Sequence, residues 1–296
     1  MSVVVPVFNR PESVAGVIAC LRGQSFTHWE VIFVDDGSDV DLLAAICPFL
    51  DDTRVRAVRL ERNRGASAAR NRGVSEARGR YVAFLDSDDG WHPDKLARQL
   101  AVMALLPADA RAFCVTLTSV VMPGGWRRVR PNFPPQQSKS FGHYLYVQGG
   151  FAQVSSLLLP RFLALANRFH ENLRQYEDHL LFIELHASGA DYIVVPEVLT
   201  VWRNDVRQDR LSRQDDLDNG EAFLAAATDV LDPGVQVAFR LRALGGVLIR
   251  RRPRDAIKLF LFGLRQRVLS PRQIAVILAR HMLPPRLWQL MVRPAQ

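Results

Sequence analysis

Apolar positions in the first ninety residues fall into short β-branched or aromatic runs, separated by stretches of helical period. Val3-Val-Val-Pro-Val7, Trp29-Glu-Val-Ile-Phe-Val34, Val55-Arg-Ala-Val-Arg-Leu60 and Tyr81-Val-Ala-Phe-Leu85 predict four strands. Charges alternate along the third run, which suits a sheet edge. Between the strands, Pro11 to Gln24 puts Val14, Val17, Ile18 and Leu21 on one helical face, and Leu42 to Leu50 and Ala66 to Arg78 also read as helices. Repeated strand–helix units with short connections predict an α/β fold, a mostly parallel Rossmann-like sheet flanked by helices. Ligands of such sheets bind beyond the carboxyl ends of the strands. Polar groups collect at those ends: Asn9, Asp35 and Asp36, Asn63, and Asp86, Asp88 and Asp89.

The periodicity changes after residue 110. Ala112 to Val121 predicts a strand, Met122 to Gln137 a loop or hairpin, and Phe151 to Leu159 another strand. Tyr176 to Ala187 predicts a helix and Tyr192 to Val195 a short strand. Val206 to Asn219 is strongly polar and predicts a linker or loop. From Glu221 onward the chain reads as helices punctuated by Pro233, Pro253, Pro271 and Pro284, with apolar surfaces at Ala256, Leu259, Phe260, Phe262 and Gly263 and at Ile274, Val276, Ile277 and Leu278. The expected organisation is an α/β domain at 1–205 with halves at 1–110 and 111–205, a linker at 206–220 and a helical module at 221–296.

The chain has 296 residues, enough for a large core, and its 48% hydrophobic and 23% charged content is that of a soluble globular protein. It opens directly on strand-like Ser2-Val-Val-Val-Pro6, with no signal-peptide pattern and no apolar stretch of spanning length, so a cytoplasmic location is expected. Cys20, Cys47 and Cys114 are odd in number and dispersed, which predicts reduced thiols rather than a disulfide framework or zinc site. The net charge of +8 is unevenly spread: residues 240–296 hold thirteen Lys/Arg against Asp255 alone, a local +12 that leaves −4 for the rest.

Candidate chemistry starts at the fourth strand end. Three carboxylates within four residues, Asp86, Asp88 and Asp89, repel one another unless a cation or hydrogen-bond donors neutralise them, and hard oxygen ligands suit Mg²⁺ or Mn²⁺. Capping of the helix that begins near Pro93-Asp-Lys-Leu96 would use one or two acids, with Asp94 placed for it. Asp35-Asp-Gly-Ser38 reads alone as a turn; beside the acid cluster it becomes a site for hydrogen bonds to a base or ribose. Gly65 opens the helix that carries Arg70, where backbone approaches closely and phosphate is favoured. Arg70 would pair with a diphosphate or with the acids; Arg64 and Arg72 read as solvated. Glu177-Asp178 begins an apolar helix and offers either favourable first-turn acids or a rigidly placed general base. His179 and His186 on that helix have no metal-pair spacing.

Taken in order, Val5-Pro-Val-Phe-Asn9, Val34-Asp-Asp-Gly-Ser38, Asn63-x-Gly65, Ala69-Arg-Asn-x-Gly73, Phe84-Leu-Asp-Ser-Asp-Asp89 with Pro93, and Glu177-Asp178 resemble the family 2 glycosyltransferases with the GT-A fold, over about residues 1 to 203. The resemblance implies a catalytic domain at 1–205, with a nucleotide-binding half at 1–110 and an acceptor-binding half at 111–205, that carries out inverting sugar transfer from a nucleotide-diphosphate sugar, usually UDP- or dTDP-linked, to a glycan or lipid-linked glycan acceptor. It implies that Pro6, Val7, Asn9 and Asp36 hold the nucleobase and that Arg70 faces the nucleotide. Asp86-Ser-Asp88 would be the DxD motif, with Asp86 near the ribose and Asp88 on Mn²⁺ or Mg²⁺, and Asp178 would be the catalytic base. Asp89 receives no role. Phe8 stands where many relatives have tyrosine. No Gln-x-x-Arg-Trp segment follows Asp178, Val201-Trp-Arg-Asn204 being a different sequence, so a processive polymer synthase is not expected.

The basic tail admits three readings: association with an anionic membrane surface through residues 240–296, which would place the enzyme on the inner face of the cell membrane; a protein partner or homodimer contact; or a helical cap with a solvated face. Nucleic acid is not expected, because the charge sits in one helical tail without aromatic–basic interleaving. A nucleotidyltransferase would carry a Gly-rich basic signature after the first strand, where this chain has Phe8-Asn-Arg-Pro11. A nucleotide-binding relative without catalysis would not need both Asp88 and Asp178.

Overall fold

A computed structural model describes residues 1–122, 124–131, 140–203, 217–283 and 287. Met1–Phe141 with Phe151–Arg207 form one compact unit, and Gly142–Gly150 with Gln208–Gln296 a second. Residues 142–150 lie inside the expected 111–205 half by sequence, yet cluster with the C-terminal helices. Of the expected linker, 217–220 are helical, and 206–216 lie outside the described residues.

The first unit is built on one nine-stranded sheet. Four strands are parallel, in the order β3 (Val55–Arg59), β2 (Glu30–Asp35), β1 (Ser2–Val7) and β4 (Tyr81–Phe84). Val3, Val4, Val5 and Val31 to Val34 are fully buried, as strands covered on both faces require. Helix α1 (Ser13–Arg22) buries its Val14, Val17, Ile18 and Leu21 face. Helix α2 (Leu42–Ile46) passes into a 3-10 turn at Cys47–Phe49, so the expected helix to Leu50 tightens where Pro48 enters. Helix α3 (Ala66–Glu76) lies so close to β1 that a Cβ on Gly73 would stand 2.2 Å from Val4 Cγ1. β3 is the sheet edge, as its charges predicted.

The remaining strands are β5 (Gly90–Trp91), β6 (Ala112–Val121), β7 (Arg127–Arg130), β8 (Leu158–Pro160) and β9 (Asp191–Arg203). Antiparallel β8 joins β4 to β6, parallel β9 follows β6, and β5 and β7 pair antiparallel to β9 and β6. The sheet is therefore mixed beyond β4, and its parallel character belongs to the N-terminal half. Residues 151–159 form no single strand: a 3-10 turn at Val154–Ser156 precedes short β8, where Ser155 accepts on its side chain from Asp86 N beyond β4 and on its carbonyl from Trp91 of β5. The strand expected at Tyr192–Val195 runs on to Arg203 by following β6, with a register shift after Val195 that accommodates Pro196, which has no N–H to give.

Helix α4 (Lys95–Met103) begins after Asp94, whose side chain makes no cap bond and accepts from Ser25 Oγ at 2.8 Å. Lys95 is fully buried. Its Nζ donates to Gln99 Oε1 at 2.7 Å and stands 4.0 Å from the Trp91 ring centre. Burial lowers its pKa to about 7. Helices α5 (Arg161–Ala166) and α6 (Glu177–Ala187) complete this unit.

The second unit consists of α7 (Leu217–Ala226), α8 (Pro233–Phe239), α9 (Gly245–Arg251), α10 (Pro253–Arg265) and α11 (Pro271–Met282). Proline occupies the first helical position of α8, α10 and α11, where its missing N–H costs nothing. Ser270 and Gln273 close a reciprocal capping box on α11. Tyr146, Phe223 and Phe239 pack edge-on and tilted, with centroids 4.6–6.0 Å apart. Arg242 and Gln273 donate to the carbonyls of Tyr146 and Val147, tying 142–150 to the helices. Among the described residues no helix is long and apolar enough to cross a membrane.

Candidate functional site

Strand order reverses at β1, where β2 lies on one side and β4 on the other. Pairing of β1 with β4 stops at Val4↔Phe84, whereas pairing with β2 continues to Val7↔Asp35. The two strand ends thus separate at the switch point, the place where open α/β sheets bind ligands. Pro6, half-buried, and Val7, buried, lie on the diverging stretch of β1. Asn9 follows in a left-handed conformation, φ 52°. Its Nδ2 donates to Asp39 Oδ2 at 3.0 Å and its Oδ1 accepts from Asp39 N at 2.8 Å, which fastens the loop after β1 to the loop after β2.

Backbone amides hold the acids at the end of β2. Asp35 accepts from Ser38 N at 2.9 Å and from Arg59 Nη1 at 3.0 Å. Asp36, 3% exposed, accepts from Arg64 N and Gly65 N, both at 2.8 Å. Gly65 precedes α3 at φ 92°, a conformation that favours glycine. The amide expected to face a phosphate is therefore engaged by Asp36. Burial raises the Asp36 carboxyl above its usual range, and the two amides draw it back.

Side chains from distant segments hold the acids at the end of β4. Asp86 accepts from Arg70 Nη2 at 2.8 Å, and its N–H donates to Ser155 Oγ at 3.0 Å. Asp88 accepts from Arg10 Nη1 at 3.0 Å. Asp89, without a role by sequence, accepts from Ser155 Oγ at 2.7 Å and from Gln153 Nε2. Its carboxyl lies well above the usual range, through burial first and then the charges of Asp86 and Asp88. Trp91 Nε1 donates to Ser155 O at 2.8 Å, so the 3-10 turn at 154–156 is clamped from two sides.

Arg70 connects this strand end to α6. Its guanidinium is 4% exposed, bonds Asp86 and also Glu177 Oε1 at 3.0 Å, and lies 5.2 Å from the Phe169 ring centre. Burial opposes the charge, but Asp86, Glu177 and Asp178 together hold the guanidinium more firmly protonated than in water. Of the alternatives offered by sequence, Arg70 pairs with the acids. Glu177 is pushed up to about 7 by burial and by the Asp178 charge, against the pull of Arg70. Tyr176 enters α6 at φ 65°, uncommon for an aromatic residue and a small store of strain. Asp178 is half-buried in the first turn, and one of its oxygens accepts from His179 N at 2.8 Å.

The structure thus joins Arg70, Asp86 and Glu177 directly, with Asp178 next to Glu177 in the same helical turn, Asp88 and Asp89 on the same strand-end loop and Asp36 and Gly65 at the start of the Arg70 helix. Arg10, Gln153 and Ser155 were missed by sequence. Arg10 directly follows the first motif, and that adjacency to Asn9 is its one signal; Gln153 and Ser155 lie in an unmarked stretch. Arg64 and Arg72 are largely exposed and pair with Glu171 and Glu76. Among the described residues no group of three His, Cys, Asp or Glu side chains is placed to bind a metal alone. The donor set at Asp88 suits a hard divalent cation that takes one carboxylate and completes its shell with substrate phosphates and water, and such a cation would compete with Arg10 for Oδ2.

Residues 2–159 match the family model described as glycosyl transferase family 2. The chain is 33% identical over 203 residues to the amylovoran biosynthesis glycosyltransferase AmsB of Erwinia amylovora, covering 67% of each chain. It is 33% identical to the UDP-Glc:alpha-D-GlcNAc-diphosphoundecaprenol beta-1,3-glucosyltransferase WfgD of Escherichia coli over 35% of this chain and 40% of that protein. Among solved structures, S. aureus TarS 1–349 in complex with UDP-GlcNAc superposes with a TM-score of 0.66 at 17% identity, covering 94% of this chain and 86% of that one, a likeness of fold. On the extent of the family match and the shared GT-A architecture, the chain belongs to glycosyl transferase family 2 and is a glycosyltransferase.

Proposed function

We propose that this enzyme moves a sugar from a nucleoside-diphosphate sugar, UDP-linked, to a hydroxyl of a glycan or lipid-linked glycan, with inversion at the anomeric carbon and Asp178 as general base. One observation carries the reading: Arg70 bridges Asp86 at the end of β4 and Glu177 at the start of α6, which brings the base-bearing turn to the acidic strand end. The names of the relatives support the donor and acceptor class. WfgD is named for UDP-Glc and a diphosphoundecaprenol-linked sugar, and AmsB for polysaccharide biosynthesis.

In this reading Asp178 takes the proton from the acceptor hydroxyl as its oxygen attacks the anomeric carbon, and the nucleoside diphosphate leaves with the bonding pair. A carboxylate base suffices because the hydroxyl becomes acidic only as the new bond forms; such a base contributes ~10²–10⁴ in rate. The N–H of His179 holds one Asp178 oxygen, and the other faces the acceptor. Arg70 fixes Asp86, which takes the ribose side. Mn²⁺ or Mg²⁺ on Asp88 would supply positive charge for the departing diphosphate. Arg10 keeps that carboxylate oriented until it is engaged.

The test is Asp178→Asn in the full chain, assayed for sugar transfer and, by calorimetry, for UDP binding with Mn²⁺. Transfer should fall by ~10²–10⁴ with UDP affinity unchanged; near-normal turnover would remove Asp178 from the base role. A thermal-shift panel of nucleotide sugars with and without Mn²⁺ would name the donor, since a ligand at a hundred times its Kd adds ~2.7 kcal/mol.

A further inference from the structure

Helix α10 carries two apolar lines, and among the described residues one is buried and the other exposed. Ala256, Phe260 and Gly263 are buried against the second unit, where a Cβ on Gly263 would approach Leu241 to 2.8 Å. Ile257, Leu261 and Leu264 stand on a different face at helical spacing, 60%, 61% and 39% exposed. A helix that only needed to pack would be polar there. Alongside runs a second line at the same spacing: Arg254, Lys258 and Arg265, all exposed. An apolar line with a parallel basic line is the pattern of a helix lying in the headgroup region of an anionic bilayer, with the aliphatic chains in the acyl boundary and the Lys and Arg stems reaching up to phosphate.

Charge decides between occupants. Residues 240–296 carry +12, so a second copy of this unit would bring like charge against like charge, and a nucleic acid would read the basic line but leave the isoleucine and leucines in water. An anionic lipid surface satisfies both lines at once. We infer that α10 is a peripheral membrane-docking helix that lays Ile257, Leu261 and Leu264 into an anionic leaflet and pairs Arg254, Lys258 and Arg265 with its lipid phosphates. This rests on the second unit alone and stands apart from the reading of the transfer site.

The probe is vesicle co-sedimentation of the full chain with 30:70 phosphatidylglycerol–phosphatidylcholine and with pure phosphatidylcholine, at low and high salt. Two variants accompany it, Ile257→Ser/Leu261→Ser/Leu264→Ser and Arg254→Gln/Lys258→Gln/Arg265→Gln. All six positions are exposed, and circular dichroism would verify the fold. The wild type should pellet with the anionic vesicles and release in high salt. Each lost charge should weaken binding about fivefold, so the basic variant should lose on the order of a hundredfold, and the apolar variant should lose binding even at low salt. Equal binding to both vesicle types, no binding by the wild type, or both variants binding like the wild type would overturn the inference. So would a concentration-dependent dimer, seen by light scattering, that the apolar variant abolishes without changing vesicle binding.

Discussion

Two neighbouring strand ends carry acids, and they are held by opposite means. At the end of β2, Asp35 and Asp36 take backbone N–H groups from Ser38, Arg64 and Gly65, with Arg59 as the one side-chain partner. At the end of β4, Asp86, Asp88 and Asp89 are held by Arg70, Arg10, Gln153 and Ser155, side chains that reach in from three separate segments. Backbone donors are fixed by loop conformation and keep their places whatever binds. Side-chain donors can exchange partners, as an acidic cluster must if it is to accept a cation and a diphosphate and then release them. In the proposed reading the β2 end shapes the site, and the β4 end works in it.

The sharpest break of this contrast is Arg70→Met. It leaves Asp86 and Glu177 without their buried partner and should cost about 3–5 kcal/mol in urea unfolding, well beyond any change at the β2 end. Glu177→Gln comes next, read through pH. Below the ordinary value of 4.5 both folded and unfolded chains hold this proton, and above about 7 both have released it. Between those values the folded chain holds more protons, so wild-type stability should fall as pH rises, by on the order of 3 kcal/mol, and the variant should lack that fall. Equal slopes for variant and wild type would remove the burial of Glu177 from the account. Asp36→Asn sets an amide against two N–H donors and should cost about 1–2 kcal/mol, with a weaker fit for UDP by calorimetry. Arg59→Ala touches a side chain more than half exposed and should change stability by less than about 1 kcal/mol.

The same division explains what the sequence made legible. Strands β1 to β4 and the polar groups at their ends could be read because parallel strands buried on both faces are unbroken apolar runs that stop abruptly. Asp35, Asp36 and Gly65 could be read because their partners are local or stand at the next strand end. Glu177 and Asp178 showed as an acid pair opening an apolar helix, but their link to Arg70, 107 residues earlier, left no mark in any short window. Gln153 and Ser155 were hidden for the same reason, and the stretch around them looked like plain strand because its buried residues are apolar. Pro196 sits where β9 shifts its register, so the pattern breaks in mid-strand and shortens the expected element.

The buried pair of Trp91 and Lys95 gives the site an optical voice. Burial draws the Lys95 pKa down to about 7, and its Nζ stands 4.0 Å from the centre of the indole ring. The positive charge shifts the energy of the ring's excited state, so Trp91 emission depends on whether Lys95 is protonated. The same indole donates to the carbonyl of Ser155, whose hydroxyl touches Asp89 and accepts from the Asp86 amide. A shift of the acidic loop would therefore reach a buried fluorophore through two hydrogen bonds, and Trp91 emission offers a label-free way to look for one.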